Sequence, residues 1–197
     1  MRRMLLVGWI MLLPLGGLYH LVAGPEHQEM DDIGQLLAEA RSMVGKEQWS
    51  PAVARFEKAL QALPAERLDD ARRIRLETAQ AKMNAARLPE AHKDLKGLLD
   101  ELLEEESHDR NFEHQVRESL AGSQFYMTWL MRLEGLPATE WEPEIESARQ
   151  NYRMLAETAE KAGRTEQAKK QRENLESAIR LARLDLTDLQ GLPLPNQ

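Results

Sequence analysis

A chain of 197 residues with 42% apolar and 30% charged side chains is long enough to bury a core and too apolar to stay disordered. Its 33 acids against 26 bases leave a net charge of -7, which argues against a sequence-independent grip on nucleic acid, because that needs clustered Lys and Arg. With no cysteine there can be no disulfide, thiolate nucleophile, Cys-ligated zinc or lipid-modified N-terminal Cys.

After Met1-Arg2-Arg3 comes MLLVGWIMLLPLGGLYHLVA, residues 4–23, uncharged unless His20 is protonated. Twenty helical residues span about 30 Å, the thickness of a bilayer's hydrocarbon core. A single transmembrane anchor is therefore expected. A cleavable signal peptide would share this start, but Leu21 stands where the peptidase wants a small residue, and Val22-Ala23-Gly24 runs straight into Pro25. Secretion after cleavage remains the alternative. Arg2 and Arg3 lie on one side, and Glu26, Glu29, Asp31, Asp32 and Glu39 precede the first following base, Arg41. The positive-inside rule then keeps the N-terminus cytoplasmic and exports the remainder.

Beyond a linker at 24–28, the chain is rich in Leu and Ala and sparse in Val, Ile and Thr, which suits an all-α fold. Residues 29–45 carry Ile33, Leu36, Leu37, Ala40, Met43 and Val44 on a helical stripe that Gly45 ends. Ser50 is the expected N-cap of a second helix, Pro51 its first residue and Pro64 its stop. Ala52 and Ala59 allow a neighbouring helix to approach, and Phe56 fills the groove between them.

The stretch from Leu36 through Ala40, Met43, Trp49, Ala52, Phe56 and Ala59 to Pro64 resembles the tetratricopeptide repeat, a 34-residue helix-turn-helix. Glu39 departs from it, as does Gly45, which stands two residues ahead of the usual turn glycine. Leu76, Ala79, Met83, Leu88, Ala91, Leu95, Leu98 and Leu99 repeat the pattern, although Lys82 replaces a large residue. Tyr152, Leu155, Ala156, Ala159, Gly163, Ala168 and Leu175 repeat it again, with Thr165 as N-cap and Arg172 in place of the aromatic. Between them lie a long helix over about 110–134 and a turn, GLPATEWEP, at 135–143, before helices at 144–162 and 165–189. The expectation is an anchor followed by a short solenoid of about seven helices over 29–190, with an extended tail at 191–197.

The resemblance implies a scaffold or adaptor that binds a protein or peptide, not an enzyme. It also implies a concave face lined by Leu37, Arg41, Val44, Leu76, Gln80 and Met83. Only Arg41 there could hold a carboxylate, so the carboxylate-clamp activity of some family members does not carry over. The apolar remainder suits a hydrophobic segment or helix, either from a partner or from this chain itself. Phe125, Trp129 and Leu133, on one side of the long fifth helix, form an alternative patch that reads first as core.

The acidic run DELLEEESHD, 100–109, reads as a solvated face. His108 and His114 lack a metal-binding spacing, and no phosphate loop or nucleophile elbow occurs. No cofactor or metal is expected; self-association into a structural oligomer, or an enzyme with a dispersed site, is the alternative to a scaffold with a separate partner.

Overall fold

The computed structural model describes residues 30–190, which form eight helices. These are α1 (30–44), α2 (Trp49–Ala62), α3 (Leu68–Asn84), α4 (Leu88–Glu104), α5 (Arg110–Leu133), α6 (Ala138–Lys161), α7 (Thr165–Arg183) and α8 (Leu186–Gln190). The described chain is all-α.

The expected membrane-spanning helix is not part of the described fold. Among the described residues no helix is long and apolar enough to cross a membrane. Even the longest, α5 and α6, are interrupted throughout by charged residues such as Glu113, Arg117, Glu146 and Arg153. A single-pass topology with an exported domain therefore has no structural support. The segment 4–23 on which it rested lies outside the described residues, as do the linker 24–28 and the tail 191–197.

The chain divides into two compact units within α3, the first ending at Ala71 and the second beginning at Arg72. In the first, Arg55 of α2 pairs with Glu39 of α1 at 3.2 Å. Ile33, Ala40, Ala52, Val53, Phe56 and Ala59 are buried. The α2 start lies slightly upstream of the expected one, at Trp49, with Gln48 in the cap position and no side-chain cap. Ser50 is thus inside the helix, and Pro51 still sits in the first turn, where a missing N–H costs no intrahelical bond.

In the second unit, charge pairs fix an antiparallel register between α3 and α4. Lys82 meets Asp94 at 2.8 Å, Arg75 meets Glu101 at 2.7 Å, and Arg72 meets Glu105. The residue numbers fall along one helix as they rise along the other. Between them lies a core of Leu76, Ala79, Ala91, Leu95, Leu98 and Leu99, closed by Val116 and Leu120 of α5. A second core joins α5, α6 and α7 through Trp129, Ile145, Tyr152, Ala178 and Leu181.

Four helix ends share one turn. The N–H groups of Gln48, Arg87, Leu136 and Arg164 donate to the carbonyls of Met43, Lys82, Met131 and Ala159, five residues back. The residue before each donor has positive φ: Glu47 at 58°, Ala86 at 58°, Gly135 at 76° and Gly163 at 69°. This is the Schellman closure, which satisfies carbonyls that the helix end leaves open. The left-handed residue after α1 is thus Glu47, two residues beyond Gly45.

Two boundaries differ from expectation. α6 starts at Ala138, so Pro143 lies inside the helix and most of the expected turn is helical. Pro143 leaves the Thr139 carbonyl without its intrahelical donor, a loss the packing of α6 between α5 and α7 tolerates. The predicted helix 165–189 is broken at Leu184 and Asp185, which gives eight helices instead of seven. The reason is tertiary: Arg132 of α5 donates to the carbonyls of Leu181 and Leu184. Those oxygens would otherwise accept from the N–H groups of residues 185 and 188. The Asp188 N–H turns instead to the Asp185 carboxylate at 2.8 Å.

Candidate functional site

The residues expected to line a concave face fall into both units. Leu37 and Val44 are half-buried and Arg41 is exposed in the first. In the second, Leu76 is 5% exposed and belongs to the core, with Met83 packed against it, so neither presents an open apolar surface. Gln80 is exposed and donates to the Ser119 hydroxyl of α5 at 2.9 Å. Phe125, Trp129 and Leu133 all pack into the second core, with Phe125 and Trp129 ring centroids 6.3 Å apart.

What the fold assembles instead is a polar seam between α5 and α6. It begins at His108, whose Nε2 lies 2.7 Å from the Glu113 carboxylate, which also accepts from Arg117 at 2.6 Å. Arg117 reaches across to the Asn151 side-chain oxygen at 3.3 Å, and the Asn151 amide donates to Gln124 at 3.3 Å. Gln124 in turn donates to the Ser147 hydroxyl at 2.8 Å. Burial acts to raise the pKa of Glu113, but the hydrogen bonds and charges of His108 and Arg117 outweigh it and hold the carboxyl below its usual range.

Beside the seam, three helices bring together a serine, a histidine and a glutamate. His92 of α4 has Nδ1 3.2 Å from the Ser123 hydroxyl of α5 and Nε2 3.6 Å from the Glu144 carboxylate of α6. Those residue types can support nucleophilic catalysis when the serine meets a substrate and its proton passes to the histidine. Here Ser123 is fully buried, and its hydroxyl donates to the Leu120 carbonyl at 2.7 Å. With that proton engaged, the serine accepts from His92 Nδ1–H, and the buried Glu144 Oε2 has no hydrogen-bond partner. The bond from His92 to Ser123 joins α4 to α5, and Glu144 of α6 lies beside the ring without a hydrogen bond to it. Burial pushes the His92 pKa down, Lys96 adds to this, and Glu144 opposes it.

The acidic run at 100–109 is in part a packing element. Glu101 and Glu105 pair with Arg75 and Arg72 of α3. Asp109 caps α5 by accepting from the N–H groups of Asn111 at 2.8 Å and Phe112 at 3.3 Å. The arginines offset the unfavourable placement of acids at the end of α4. Among the described residues no group of three or more His, Asp or Glu is arranged to hold a metal ion.

An open cleft of about 550 Å³ lies between the start of α6 and the end of α7. Trp141, Pro143, Ile145 and Ala182 give it an apolar lining, and Glu142, Glu146 and Arg149 line it too. Arg149 is turned onto Glu146 at 2.6 Å, and the Arg132 guanidinium lies 4.7 Å from the Trp141 ring centroid. Sequence reading missed both the cleft and the Ser–His–Glu trio. The trio's members come from three separate helices and leave no local spacing to find, whereas the cleft is lined mostly by residues 139–149, whose first part reads as a turn in the sequence.

Comparison with protein-family models, with curated proteins and with solved structures gives no match. The helical hairpins are present, but no relative assigns them to the tetratricopeptide family.

Proposed function

We propose that this chain is a helical-hairpin module that works by binding another protein, as a scaffold or assembly factor, and does not turn over a substrate. One observation supports this reading most. The residues best suited to chemistry are engaged in packing contacts: Ser123 of α5 with His92 of α4, and Glu113 with Arg117 on α5, from where Arg117 reaches Asn151 of α6. Catalysis needs such groups to converge on a site that a substrate can enter. Recognition by arrays of helical hairpins instead uses an extended concave surface, and the resemblance of the small-and-large residue spacing to tetratricopeptide repeats agrees with that use.

In-cell crosslinking of the full chain followed by mass spectrometry tests the reading. The expected result is crosslinks from its helical surface to a small set of other proteins. Crosslinks only between copies of this chain would replace it with the self-associating structural alternative.

A further inference from the structure

We propose that one proton turns the gap between His92 and Glu144 into a hydrogen bond that ties the start of α6 to α4, so that this corner of the bundle tightens as the pH falls. The proton comes from solvent and stays on the imidazole ring.

The neutral ring is already committed at one end. Ser123 gives its hydroxyl proton to the Leu120 carbonyl, so its oxygen meets the ring nitrogen 3.2 Å away as an acceptor, and Nδ1 carries the hydrogen. Nε2 then presents a lone pair. Facing it at 3.6 Å is the Glu144 Oε2, a buried oxygen with no hydrogen-bond partner. Two acceptors thus confront each other, and a polar atom kept from water without a donor is costly. A proton on Nε2 supplies the missing donor and makes the bond charge-assisted. The two side chains are 15% and 26% exposed, which gives solvent access to the pair.

Two described charges act on the ring: Glu144 from α6 favours the proton and Lys96 from α4 itself opposes it, while α5 turns the Ser123 hydroxyl to it. Burial outweighs Glu144, so the ring takes its proton below the ordinary 6.5, and the folded chain as a whole loses stability there. The start of α6 responds with the opposite sign. It is lightly held, because Pro137 occupies the cap position without a side-chain bond and Pro143 withholds an N–H from the first turns. Glu144 follows directly, and a bond from its carboxylate to α4 restrains that segment. Glu142, Pro143, Ile145 and Glu146 around it line the open cleft between α6 and α7, so the same proton steadies one wall of that cleft.

The test follows the His92 ring nitrogens of the full chain by NMR between about pH 7.5 and about pH 5.5. In parallel, amide hydrogen exchange, corrected for its intrinsic pH dependence, is read at 138–146 against α7. In the parent, protection of 138–146 relative to α7 should rise about threefold or more as Nε2 takes its proton. In Glu144→Gln the side-chain amide donates to the neutral Nε2, so the higher ratio should be present already at the upper pH and stay there. Glu144→Ala should keep the lower ratio throughout, and its ring should titrate at a lower pH than the parent's. A parent ratio that stays flat while Nε2 is protonated overturns the proposal. So does a Glu144→Ala chain whose ratio and ring titration match the parent's, or a neutral parent ring that carries its hydrogen on Nε2.

Discussion

Glu47 and Ala86 occupy the left-handed position of their helix-ending turns, where Gly135 and Gly163 occupy the equivalent position elsewhere. A side chain there costs roughly 1–2 kcal/mol in backbone strain, partly offset by the unfolded-state freedom that glycine brings. Glu47→Gly and Ala86→Gly should each stabilise the chain by about 0.5–1 kcal/mol, seen as a higher urea midpoint with an unchanged slope. Phe56, 1% exposed, is the opposite case. Phe56→Ala should cost about 3–5 kcal/mol through the cavity it leaves, and an unchanged urea melt would refute its role as the filler of its hairpin. Its burial was legible in the sequence because Ala52 and Ala59 flank it at helical spacing. The left-handed residues were not, because neither is a glycine, and Gly45 precedes by two residues the left-handed position that hydrogen bonding sets after α1.

At the scale of helices, local periodicity located the helices well and failed where a distant side chain decides. The break between α7 and α8 depends on Arg132, 49 residues before Leu181 in the sequence. Arg132→Leu should leave two partly buried carbonyls short of a donor and cost about 2–4 kcal/mol. Faster hydrogen exchange at 181–190 would locate the loss at this corner. His92 gives the bundle a pH dependence whose sign follows from its burial. Its pKa is lowered below the ordinary value of 6.5 in the folded chain. The stability from keeping it neutral is therefore fully present above that value and is lost as pH falls towards the folded pKa. Replacing His92 with Gln should flatten the decline in stability between about pH 7 and 5, apart from a general loss at all pH values. Glu113, whose pKa is also lowered, acts further down. Its contribution is present above the ordinary carboxyl value and fades as pH falls through the lower folded one.

For the molecule as a whole, the sequence showed an all-α hairpin array and placed most of the core, because those rest on repeated local spacing. It could not show which polar residues would meet. His92 and Ser123 are 31 positions apart, and only the packing of α4 on α5 brings them within 3.2 Å. The central claim is that this meeting holds α4 against α5 within a module proposed to bind another protein. It is tested most directly by in-cell crosslinking of the full chain beside its Ser123→Ala variant, with the melting temperature of each measured in parallel. The account predicts a lower melting temperature for Ser123→Ala and the same partner proteins crosslinked to the folded fraction of both chains. A variant that melts like the parent, or a parent chain with no partner protein, would contradict it.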